Sequence, residues 1–394
     1  MRAVLVIARY GGEIVGGAES HVREFAQRLA EAGHQVSVLT TCVRDHFSWE
    51  NAYPPGVTVE RGVRVERFLV SPRDHAIMRR LQPAIDAGLT LPDHLQREWV
   101  RNGGYSQALL ARIDEIADSV DVFLFTQYLY GPTVFGALLH PGRSLVMPLL
   151  HDEPTARFAC VGEVLSSVAG LVFNTAAERD LAARLWGPLP PNRVVGAGFD
   201  IPPPPNVAAF RRRHRLQGEL VAYAGRREMA KNFPLVAESV TAYNLALSAD
   251  GRVTLLALGG GNIDLPRRAR EHVVDLGFLS QEEKLAALAS SLVVANLSRF
   301  ESLSFVIMEA WSVGVPVIVH ADCAVTRRAC EESGGGLWIR SVEEFAGALD
   351  RLRADRDLRD RMGQAGRRFV AERYSWSAVI KRLEEALRDL PATA

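Results

Sequence analysis

Glu301 and Glu309 are separated by seven residues at the point where a loop passes into a helical pattern. Ser304 is a favourable N-cap, so the spacing predicts Glu301 in the loop and Glu309 in the second helical turn. The N–H groups of residues 303–306 would then face a bound phosphate at the positive end of the helix. Because residues 305–308 are apolar, Glu309 is expected to be largely buried, where an ionised carboxylate needs a partner. A ligand hydroxyl is one such partner, and a neighbouring arginine or backbone group is the alternative.

Two cations follow the short apolar run at residues 220–224. Gly225-Arg226 comes directly after this run, and Lys231 lies five residues beyond Arg226. Side chains at the carboxyl end of a strand in a doubly wound sheet face the crevice where ligands bind. An arginine fork and a lysine point charge suit a diphosphate, whereas the alternative interpretation is a solvated charged turn. Arg227 is also available, but successive residues usually point apart.

Glycines at Gly11-Gly12 and Gly16-Gly17 follow the first apolar run and open the first long helical pattern. Glycine allows backbone N–H groups at a helix N-terminus to approach a phosphate closely. The spacing fits neither GxGxxG nor GxxxxGK[ST], which disfavours dinucleotide binding and P-loop hydrolysis. A turn that serves folding alone is the alternative.

The elements that position these residues are strands alternating with helices. Short apolar runs with few polar positions are typical of strands buried on both faces of a parallel sheet, and helical patterns separate them. This alternation predicts an α/β fold of doubly wound sheets. The predicted strands are Ala3–Ala8, Gln35–Thr40, Val122–Phe125, Leu145–Leu149, Leu171–Phe173, Leu220–Ala224, Val253–Leu258, Val273–Leu276, Leu292–Ala295 and Val315–Val319.

The alternation is interrupted at Pro202-Pro203-Pro204-Pro205, which cannot continue a helix or a central strand. A stiff connector between two domains is therefore predicted. One further segment holds helical patterns without a strand between them and is expected to form an extra helical layer. The predicted organisation is a first domain at 1–200 with a helical insertion at 71–117, a linker at 201–215, a second domain at 216–374, and a helix at 375–394 that packs back on the first domain.

Composition excludes several classes of function. The chain has 394 residues, with 46 Lys and Arg against 46 Asp and Glu, so general electrostatic attraction to nucleic acid is not expected. Its four cysteines lie far apart and indicate neither a zinc cluster nor a disulfide framework. We found no apolar run of 18 residues and no signal-peptide pattern, so a soluble cytoplasmic protein is expected.

Two further matches are weaker. Asp355-Arg356-Asp357 fits a DxD metal-binding signature, but it lies in a helical Arg/Asp-rich tail that indicates a solvated face. The basic cluster at residues 211–215 is interpreted as the start of a helix rather than a nucleic-acid site. Contact of this cluster with anionic lipid headgroups is the remaining possibility, with the protein peripheral to the inner face of the membrane.

The E-x7-E spacing of Glu301 and Glu309 resembles the motif of retaining GT-B glycosyltransferases, in particular glycosyltransferase family 4. The other motifs are individually weak, but they occur in the family's order and cover nearly the whole chain. Where the family commonly has Gly-Phe-Gly, this chain has Ser302-Leu303-Ser304, which predicts altered contacts to the donor sugar. The supporting motifs are Gly-Gly-Ala-Glu at 16–19, Gly225-Arg226 with Lys231, Leu276-Gly277-Phe278, and Gly314-Val315-Pro316-Val317.

The resemblance implies a fold, GT-B, in which two Rossmann-like parallel-sheet domains face a central cleft. It also implies roles for the residues above. Arg226 and Lys231 would neutralise the nucleotide diphosphate as it leaves, so no metal ion or other cofactor is expected. Glu309 would bind the ribose hydroxyls and Glu301 the transferred sugar. His151 is similar to a cleft histidine near the reacting sugar, although a lone histidine is more often structural. The remaining donor contacts would be Gly16, Gly17, Gly225, Gly277, Phe278, Leu279, Ser302, Leu303, Ser304 and Phe305.

The predicted activity is therefore transfer of a hexose-type sugar, with retention of configuration, from a nucleotide donor to a hydroxyl acceptor. Family frequency favours UDP over GDP, and a polysaccharide or glycolipid precursor over a small natural product. Two alternatives stay open: a nucleotide-sugar epimerase on the same fold, and a non-catalytic subunit that binds a nucleotide sugar. The sequence does not indicate the oligomeric state.

Overall fold

The computed structural model describes residues 1–14, 16–227, 229–261 and 265–390. The chain divides into two compact units. The first unit contains Met1–Ala197 together with the C-terminal helix from Val379 onward, and the second contains Gly198–Ala378. Each unit has its own sheet and its own buried apolar core.

The first unit is built on an eight-stranded sheet in the described part of the chain, with the order β3-β4-β2-β1-β5-β6-β7-β8. All neighbouring pairs are parallel except β3 and β4. Its strands are β1 (Arg2–Val6), β2 (Gln35–Thr41), β3 (Gly56–Glu60), β4 (Val63–Phe68), β5 (Val122–Thr126), β6 (Ser144–Met147), β7 (Gly170–Phe173) and β8 (Asn192–Val194). Its helices are α1 (Gly17–Glu31), α2 (His75–Asp86), α3 (Asp93–Arg101), α4 (Gln107–Ile116), α5 (Gly131–Gly136), α6 (Ala159–Ser167) and α7 (Ala176–Trp186).

The second unit is built on a six-stranded sheet whose described strands are all parallel, with the order β11-β10-β9-β12-β13-β14. Its strands are β9 (Glu219–Ala224), β10 (Val253–Leu258), β11 (Val273–Gly277), β12 (Val293–Asn296), β13 (Val317–His320) and β14 (Gly336–Ile339). The helices are α8 (Val207–Arg213), α9 (Phe233–Leu245), α10 (Arg267–Arg270), α11 (Gln281–Ala289), α12 (Phe305–Ser312), α13 (Ala324–Ser333), α14 (Val342–Ala354), α15 (Arg356–Arg373) and α16 (Trp376–Asp389), of which α16 passes into the first unit.

The prediction of an α/β fold with two doubly wound sheets is confirmed. Each of the ten predicted apolar runs forms a strand, with ends that differ by at most two residues. The largest differences have local causes. For example, β6 ends at Met147 rather than at Leu149, because Pro148 cannot donate a strand hydrogen bond and Leu149 adopts a positive φ of 53°.

The segment at 71–117 forms three helices, α2, α3 and α4, without a strand between them. The structure differs from the prediction of a linker over 201–215. Residues 201–206 are neither helix nor strand, but α8 follows at once and packs on α11 of the second unit. The basic cluster is also corrected, because Arg211, Arg212 and Arg213 end α8 instead of starting a helix. Cations are favourable at that end because the last carbonyl groups of a helix are its negative pole.

The C-terminal helix α16 packs on the first unit through buried apolar residues and ion pairs. Val379 and Leu383 are fully buried. Arg193 pairs with Glu385 and Asp389 at 3.1 and 2.7 Å. A helix this far along the chain therefore contributes to the core of the first unit.

Candidate active site

The carboxyl edge of the second sheet carries most of the candidate residues. The chain order of its strands reverses between β9 and β12, which is the switch point where doubly wound sheets bind ligands. Gly225 and Arg226 follow β9 directly, and Glu301 lies in the loop after β12. The two loops are therefore neighbours, although 75 positions separate Arg226 from Glu301 in the sequence.

Lys231 and Glu301 form an ion pair across this switch point. The Lys231 Nζ donates to Glu301 Oε1 at 2.8 Å, and their side chains are 27% and 9% exposed. Lys231 ends a short 3-10 turn, and the next residue, Asn232, adopts a left-handed φ of 56°. The Asn232 Nδ2 donates to the carbonyl of Leu297 at 3.0 Å. This hydrogen bond ties the loop after β9 to the loop after β12 and so holds the ion pair in place.

Arg226 and Arg227 have different environments. The Arg226 side chain is exposed, and its carbonyl accepts a hydrogen bond from the Tyr223 hydroxyl at 2.5 Å. Arg227 instead forms a bidentate pair with Asp275 and donates to the carbonyl of Gly259 at 2.8 Å. Burial alone would raise the pKa of Asp275, but hydrogen bonds from Arg227 and a backbone N–H outweigh it and hold the pKa below its usual value. Arg227 therefore connects the loops after β9 and β10 to strand β11, and it does not substitute for Arg226.

The loop after β12 leads into α12 as predicted, with Ser304 in the N-cap position. The Ser304 hydroxyl does not cap the helix, because its oxygen accepts a hydrogen bond from the Asn296 Nδ2 at 2.8 Å. Ser302 and Leu303 are buried beside it. The N-cap side chain therefore does not accept from an N–H group of α12, and N–H groups at a helix N-terminus are suited to binding an anion.

Glu309 lies in α12 and is 9% exposed, as the apolar residues around it predicted. Its Oε1 accepts hydrogen bonds from the Lys284 Nζ at 2.6 Å and from the Gln281 Nε2 at 3.2 Å. Its Oε2 is buried and has no hydrogen-bond partner among the described residues. Buried polar atoms in native proteins are nearly always hydrogen-bonded, so this oxygen has capacity for a ligand donor.

Glycines and one aromatic ring shape the loops after β10 and β11. Gly259 has a φ of 105°, and a Cβ there would lie 2.3 Å from the carbonyl oxygen of Gly225. The Phe278 ring is 71% exposed and packs on Gly260, where a Cβ would lie 2.5 Å from the ring. Gly277 has a left-handed φ of 61°, which turns the chain toward Phe278 and Leu279.

Sequence reasoning missed Lys284, Gln281 and Asn232 as site residues. Lys284 and Gln281 lie three residues apart near the start of α11, which places both on one helix face. That spacing is visible in the sequence, but the packing of α11 against Glu309 is not. Asn232 follows Lys231 directly, and the sequence indicates only that it belongs to a charged turn, not that it contacts the loop after β12.

The predicted residues of the first unit lie at the carboxyl edge of its own sheet. His151 follows β6 in a loop and is partly buried, with its Nδ1 3.8 Å from Glu153 Oε1. Glu153 in turn accepts a hydrogen bond from the Tyr128 hydroxyl at 2.5 Å. Burial, together with the charge of Glu153, raises the pKa of Tyr128 well above its usual value.

Glu178 fixes the backbone beside His151. It is fully buried and accepts hydrogen bonds from the N–H groups of Leu150 and Asn174 at 2.7 and 2.8 Å. Burial raises its pKa to about 8 despite these hydrogen bonds. Glu178 therefore connects the loop after β6 to the loop after β7 through these two hydrogen bonds.

Gly16 and Gly17 are the N-cap and first residue of α1. A Cβ at Gly16 would lie 2.1 Å from Glu19 Oε2. Glu19 is buried and pairs with Arg9 at 2.5 Å. The Gly16 position thus has a packing requirement of its own, whether or not a ligand approaches it.

The weaker matches have structural explanations. Asp355 of the DxD match is the N-cap of α15, and its Oδ1 accepts from the Leu358 N–H at 2.8 Å. Arg211 donates to the carbonyl of Ser290 at 3.0 Å, and Arg213 pairs with Glu283 at 2.6 Å. Within the described ranges, no group of three or more His, Cys, Asp or Glu side chains is arranged to hold a metal ion.

Solved structures with this arrangement of two sheets show which fold it is. Sucrose-phosphate synthase from Thermosynechococcus elongatus superposes with a TM-score of 0.72 at 18% identity, covering 100% of this chain and 99% of that one. HepE of Anabaena, in complex with UDP and glucose, superposes with a TM-score of 0.71 at 16% identity, covering 99% and 100%. The fold is therefore GT-B.

Two family models match the chain. The model described as a glycosyl transferase 4-like domain matches residues 16–198, and the model described as glycosyl transferases group 1 matches residues 208–369. The two matches together take in most of the chain. The chain therefore belongs to the GT-B glycosyltransferases of the family 4 type, enzymes that transfer a sugar from a nucleotide donor.

Curated relatives with several different acceptors are similar to this chain. D-inositol 3-phosphate glycosyltransferase of Corynebacterium urealyticum is 26% identical over 95% of this chain and 91% of its own length. A GDP-mannose-dependent alpha-(1-6)-phosphatidylinositol monomannoside mannosyltransferase of Mycobacterium tuberculosis is 27% identical over 61% of this chain and 73% of its own length.

Proposed function

We propose that the chain is a retaining glycosyltransferase that transfers a hexose-type sugar from a nucleotide diphosphate to a hydroxyl acceptor without a metal ion. One observation carries the proposal: both glutamates of the E-x7-E motif lie beside the switch point of the second sheet, each paired with a lysine. The N-terminus of α12 lies between them in sequence. This set of groups matches a donor with a diphosphate, a ribose and a sugar.

Each part of the donor has a partner in this proposal. Arg226, Lys231 and the first turn of α12 face the diphosphate, and the unpartnered Oε2 of Glu309 accepts a hydrogen bond from a ribose hydroxyl. Glu301 accepts from hydroxyls of the transferred sugar. The backbone at Gly277-Phe278 contacts the nucleobase.

Departure of the nucleotide develops negative charge on the diphosphate. Lys231 and Arg226 stabilise that charge in a preorganised way, so a divalent cation is not required for this purpose. The leaving phosphate takes the proton of the acceptor hydroxyl, and the new bond forms on the face from which the nucleotide departs. Under this mechanism the configuration at the anomeric carbon is retained. The role of His151 near the reacting sugar stays a prediction.

UDP is the first donor nucleotide to test and GDP the second. HepE structures contain UDP and UDP-glucose, and the trehalose-6-phosphate enzyme of E. coli was solved with UDP-2-fluoro glucose. The mannosyltransferase relative is named as dependent on GDP-mannose. Uridine and guanosine nucleotides are therefore both named for proteins that are similar to this chain.

A polysaccharide or glycolipid precursor is the proposed acceptor class. WaaG, a structural neighbour, is involved in lipopolysaccharide biosynthesis, and one relative is named as a phosphatidyl-myo-inositol mannosyltransferase. A lipid-linked acceptor would bring the protein to a membrane surface. No helix in the described residues is long and apolar enough to cross a bilayer.

The test is turnover of UDP-hexoses and GDP-hexoses in EDTA with a panel of lipid-linked and soluble sugar acceptors. Formation of a product with the anomeric configuration of the donor sugar, read by NMR, is expected. Conversion of the donor sugar without an acceptor would indicate an epimerase. Nucleotide binding without turnover over the whole panel would indicate a binding subunit, and activity that EDTA abolishes would contradict the metal-free mechanism.

A further inference from the structure

The chain uses lysine very rarely, and the positions of its lysines are informative. Only three of its 46 Lys and Arg residues are lysines, namely Lys231, Lys284 and Lys381. Two of the three contact the two glutamates of the E-x7-E motif, at 2.8 and 2.6 Å. The third lies in α16. A compact ammonium group thus occurs at both motif glutamates in a chain whose Lys and Arg positions, Lys381 apart, are otherwise arginine.

Lys284 reaches Glu309 from the first half of α11. The Ser280 hydroxyl caps this helix by accepting from the Glu283 N–H at 3.2 Å, which fixes where α11 begins. Gln281 and Lys284 then share a face one helical turn apart, and both donate to Glu309 Oε1. The Lys284 and Glu309 side chains are 28% and 11% exposed, so solvent competes only partly for this contact.

The two donors act on one oxygen of the carboxylate and leave the other without a donor. Because Oε1 accepts from two side chains of the same helix, rotation of the carboxylate would break two hydrogen bonds at once. Oε2 is thereby held in a buried position with no hydrogen-bond partner in the described part of the chain. An arginine at position 284 would present two parallel donors and compete for Oε2, whereas a lysine is a single point charge.

We propose that Lys284, supported by Gln281, is a positioning residue that holds Glu309 so that Oε2 accepts from a ribose hydroxyl of the donor. This rests on the proposed function, in which Glu309 binds ribose. Lys284 also supplies a counter-charge, because an uncompensated carboxylate would repel the diphosphate of the same donor. Neither residue contacts the sugar or the reacting atoms.

The experiment compares the binding of UDP and GDP with that of their 2′,3′-dideoxy counterparts by calorimetry. The dissociation constant of the dideoxy nucleotide divided by that of the nucleotide with an intact ribose isolates the ribose contact, because base and diphosphate are the same in both ligands. Lys284→Met is expected to reduce this ratio about tenfold, the value of one hydrogen bond to a charged group. Glu309→Gln is expected to reduce it to a similar extent, and the double variant should show no further loss. Gln281→Leu, a milder change, should move the ratio in the same direction.

Lys381→Met in α16 is the matched control and should leave the ratio unchanged. If Glu309→Gln lowers the ratio but Lys284→Met and Gln281→Leu do not, the positioning role is wrong while the donor site stands. If Glu309→Gln also leaves the ratio unchanged, or the wild-type protein binds neither nucleotide, the donor-site assignment fails and the positioning role fails with it.

The scarcity of lysine allows a second readout without any loss-of-contact variant at position 284. Reductive carbon-13 methylation labels three lysine side chains and the α-amino group, and substitutions at Lys231 and Lys381 leave Lys284 as the remaining lysine signal. We expect Glu309→Gln to shift the Lys284 signal in the free protein and the bound nucleotide to shift it in the wild type. A Lys284 signal that responds to neither, with the Lys231 signal responding to nucleotide, would overturn the inference.

Discussion

Lys231 and Glu301 hold opposite charges 2.8 Å apart at a position where both are expected to contact the donor. In the free protein each satisfies the other, so neither charge is left unpaired in a partly buried loop. A diphosphate would offer Lys231 a stronger anionic partner, and a sugar hydroxyl would offer Glu301 a donor. The ion pair therefore keeps both side chains near their working positions before the donor binds.

Replacing Lys231 by methionine tests this role. Loss of one preorganised charge stabiliser is expected to reduce kcat about 100-fold to 1,000-fold, because Lys231 acts most strongly on the charge that develops on the leaving diphosphate. Steady-state kinetics with the true donor provide the measurement, and Lys381→Met is the matched control. Wild-type kcat in a folded Lys231→Met variant would remove Lys231 from the mechanism.

Burial of His21 is expected to make the stability of the first unit dependent on pH. His21 is buried on α1 with its ring 4.2 Å from that of Phe25, and burial lowers its pKa to about 4. An unfolded histidine has a pKa of about 6.5. Between these values the unfolded chain binds a proton that the folded chain does not, so stability is full above pH ~6.5 and falls as the pH drops toward ~4. The loss from this group amounts to about 3 kcal/mol.

His21→Gln, which keeps a hydrogen-bonding side chain without a titrating ring, isolates this contribution. The difference in free energy of unfolding between wild type and variant should move in favour of the variant as the pH falls from about 7 to about 4. Urea unfolding of the first unit at several pH values measures it. Parallel pH profiles for the two proteins would show that His21 is not the group responsible.

Elements rather than single residues determine where the site residues meet. Arg227 connects the loops after β9 and β10 to strand β11, because it pairs with Asp275 and donates to Gly259. Close backbone approach reinforces this connection, because Gly259 leaves no room for a side chain against Gly225. The candidate contacts to the diphosphate and the nucleobase therefore depend on the ends of β9, β10 and β11, which are held together by these contacts.

Two glycine-to-alanine substitutions should have opposite effects. At Gly259, alanine would combine a φ of 105° with a contact of 2.3 Å to a backbone oxygen, so a loss of about 2 kcal/mol or more is expected. At Gly347, in the exposed face of α14, no atom lies within 4 Å of the added Cβ, and alanine should stabilise by about 0.5–1 kcal/mol. Thermal unfolding compares the two, and nucleotide affinity should fall only in Gly259→Ala. Equal stability of both variants would contradict the packing described for Gly259.

Most strands could be predicted because they are buried on both faces and are nearly all apolar. The hairpin of β3 and β4 was missed because β3 is exposed and its Val57 and Val59 alternate with polar residues. The turn of this hairpin is Arg61-Gly62, and both residues have a positive φ. The alternation of apolar and polar residues in β3 could have been recognised in the sequence. The edge strands β8 and β14 were missed because neither is a run of buried residues: β8 is only partly buried, and in β14 only Gly336 and Ile339 are buried.

The site residues were predictable by type and order, but their pairing was not. Helical spacing and apolar neighbours were sufficient to predict a buried Glu309. The contact with Lys284 depends instead on how α11 packs against α12, which no local pattern specifies. The same applies to Glu178, whose two hydrogen bonds join loops that follow different strands.

The whole molecule consists of two units with separate cores, and its GT-B fold is shared by proteins at 18% identity and below. At that scale, the proposed donor site depends on the charged groups at the second sheet's carboxyl edge. Two lysine–glutamate pairs lie there and the Arg226 side chain is exposed beside them, so the edge holds cations that a diphosphate can contact. Because the net charge of the chain is zero, we expect attraction of a diphosphate to come from these local cations and not from the chain as a whole.

The most direct test of the donor site is thermal unfolding in EDTA with UDP, GDP, dTDP or ADP, on wild type and on Glu309→Ala. A nucleotide at 100 times its dissociation constant stabilises the protein by about 2.7 kcal/mol, a readily measured shift in midpoint. We expect one nucleotide, UDP first, to raise the midpoint of the wild type without metal and to lose this effect in the variant. No shift with any of the four nucleotides, or an equal shift in Glu309→Ala, would contradict the placement of the donor on the second unit's E-x7-E motif.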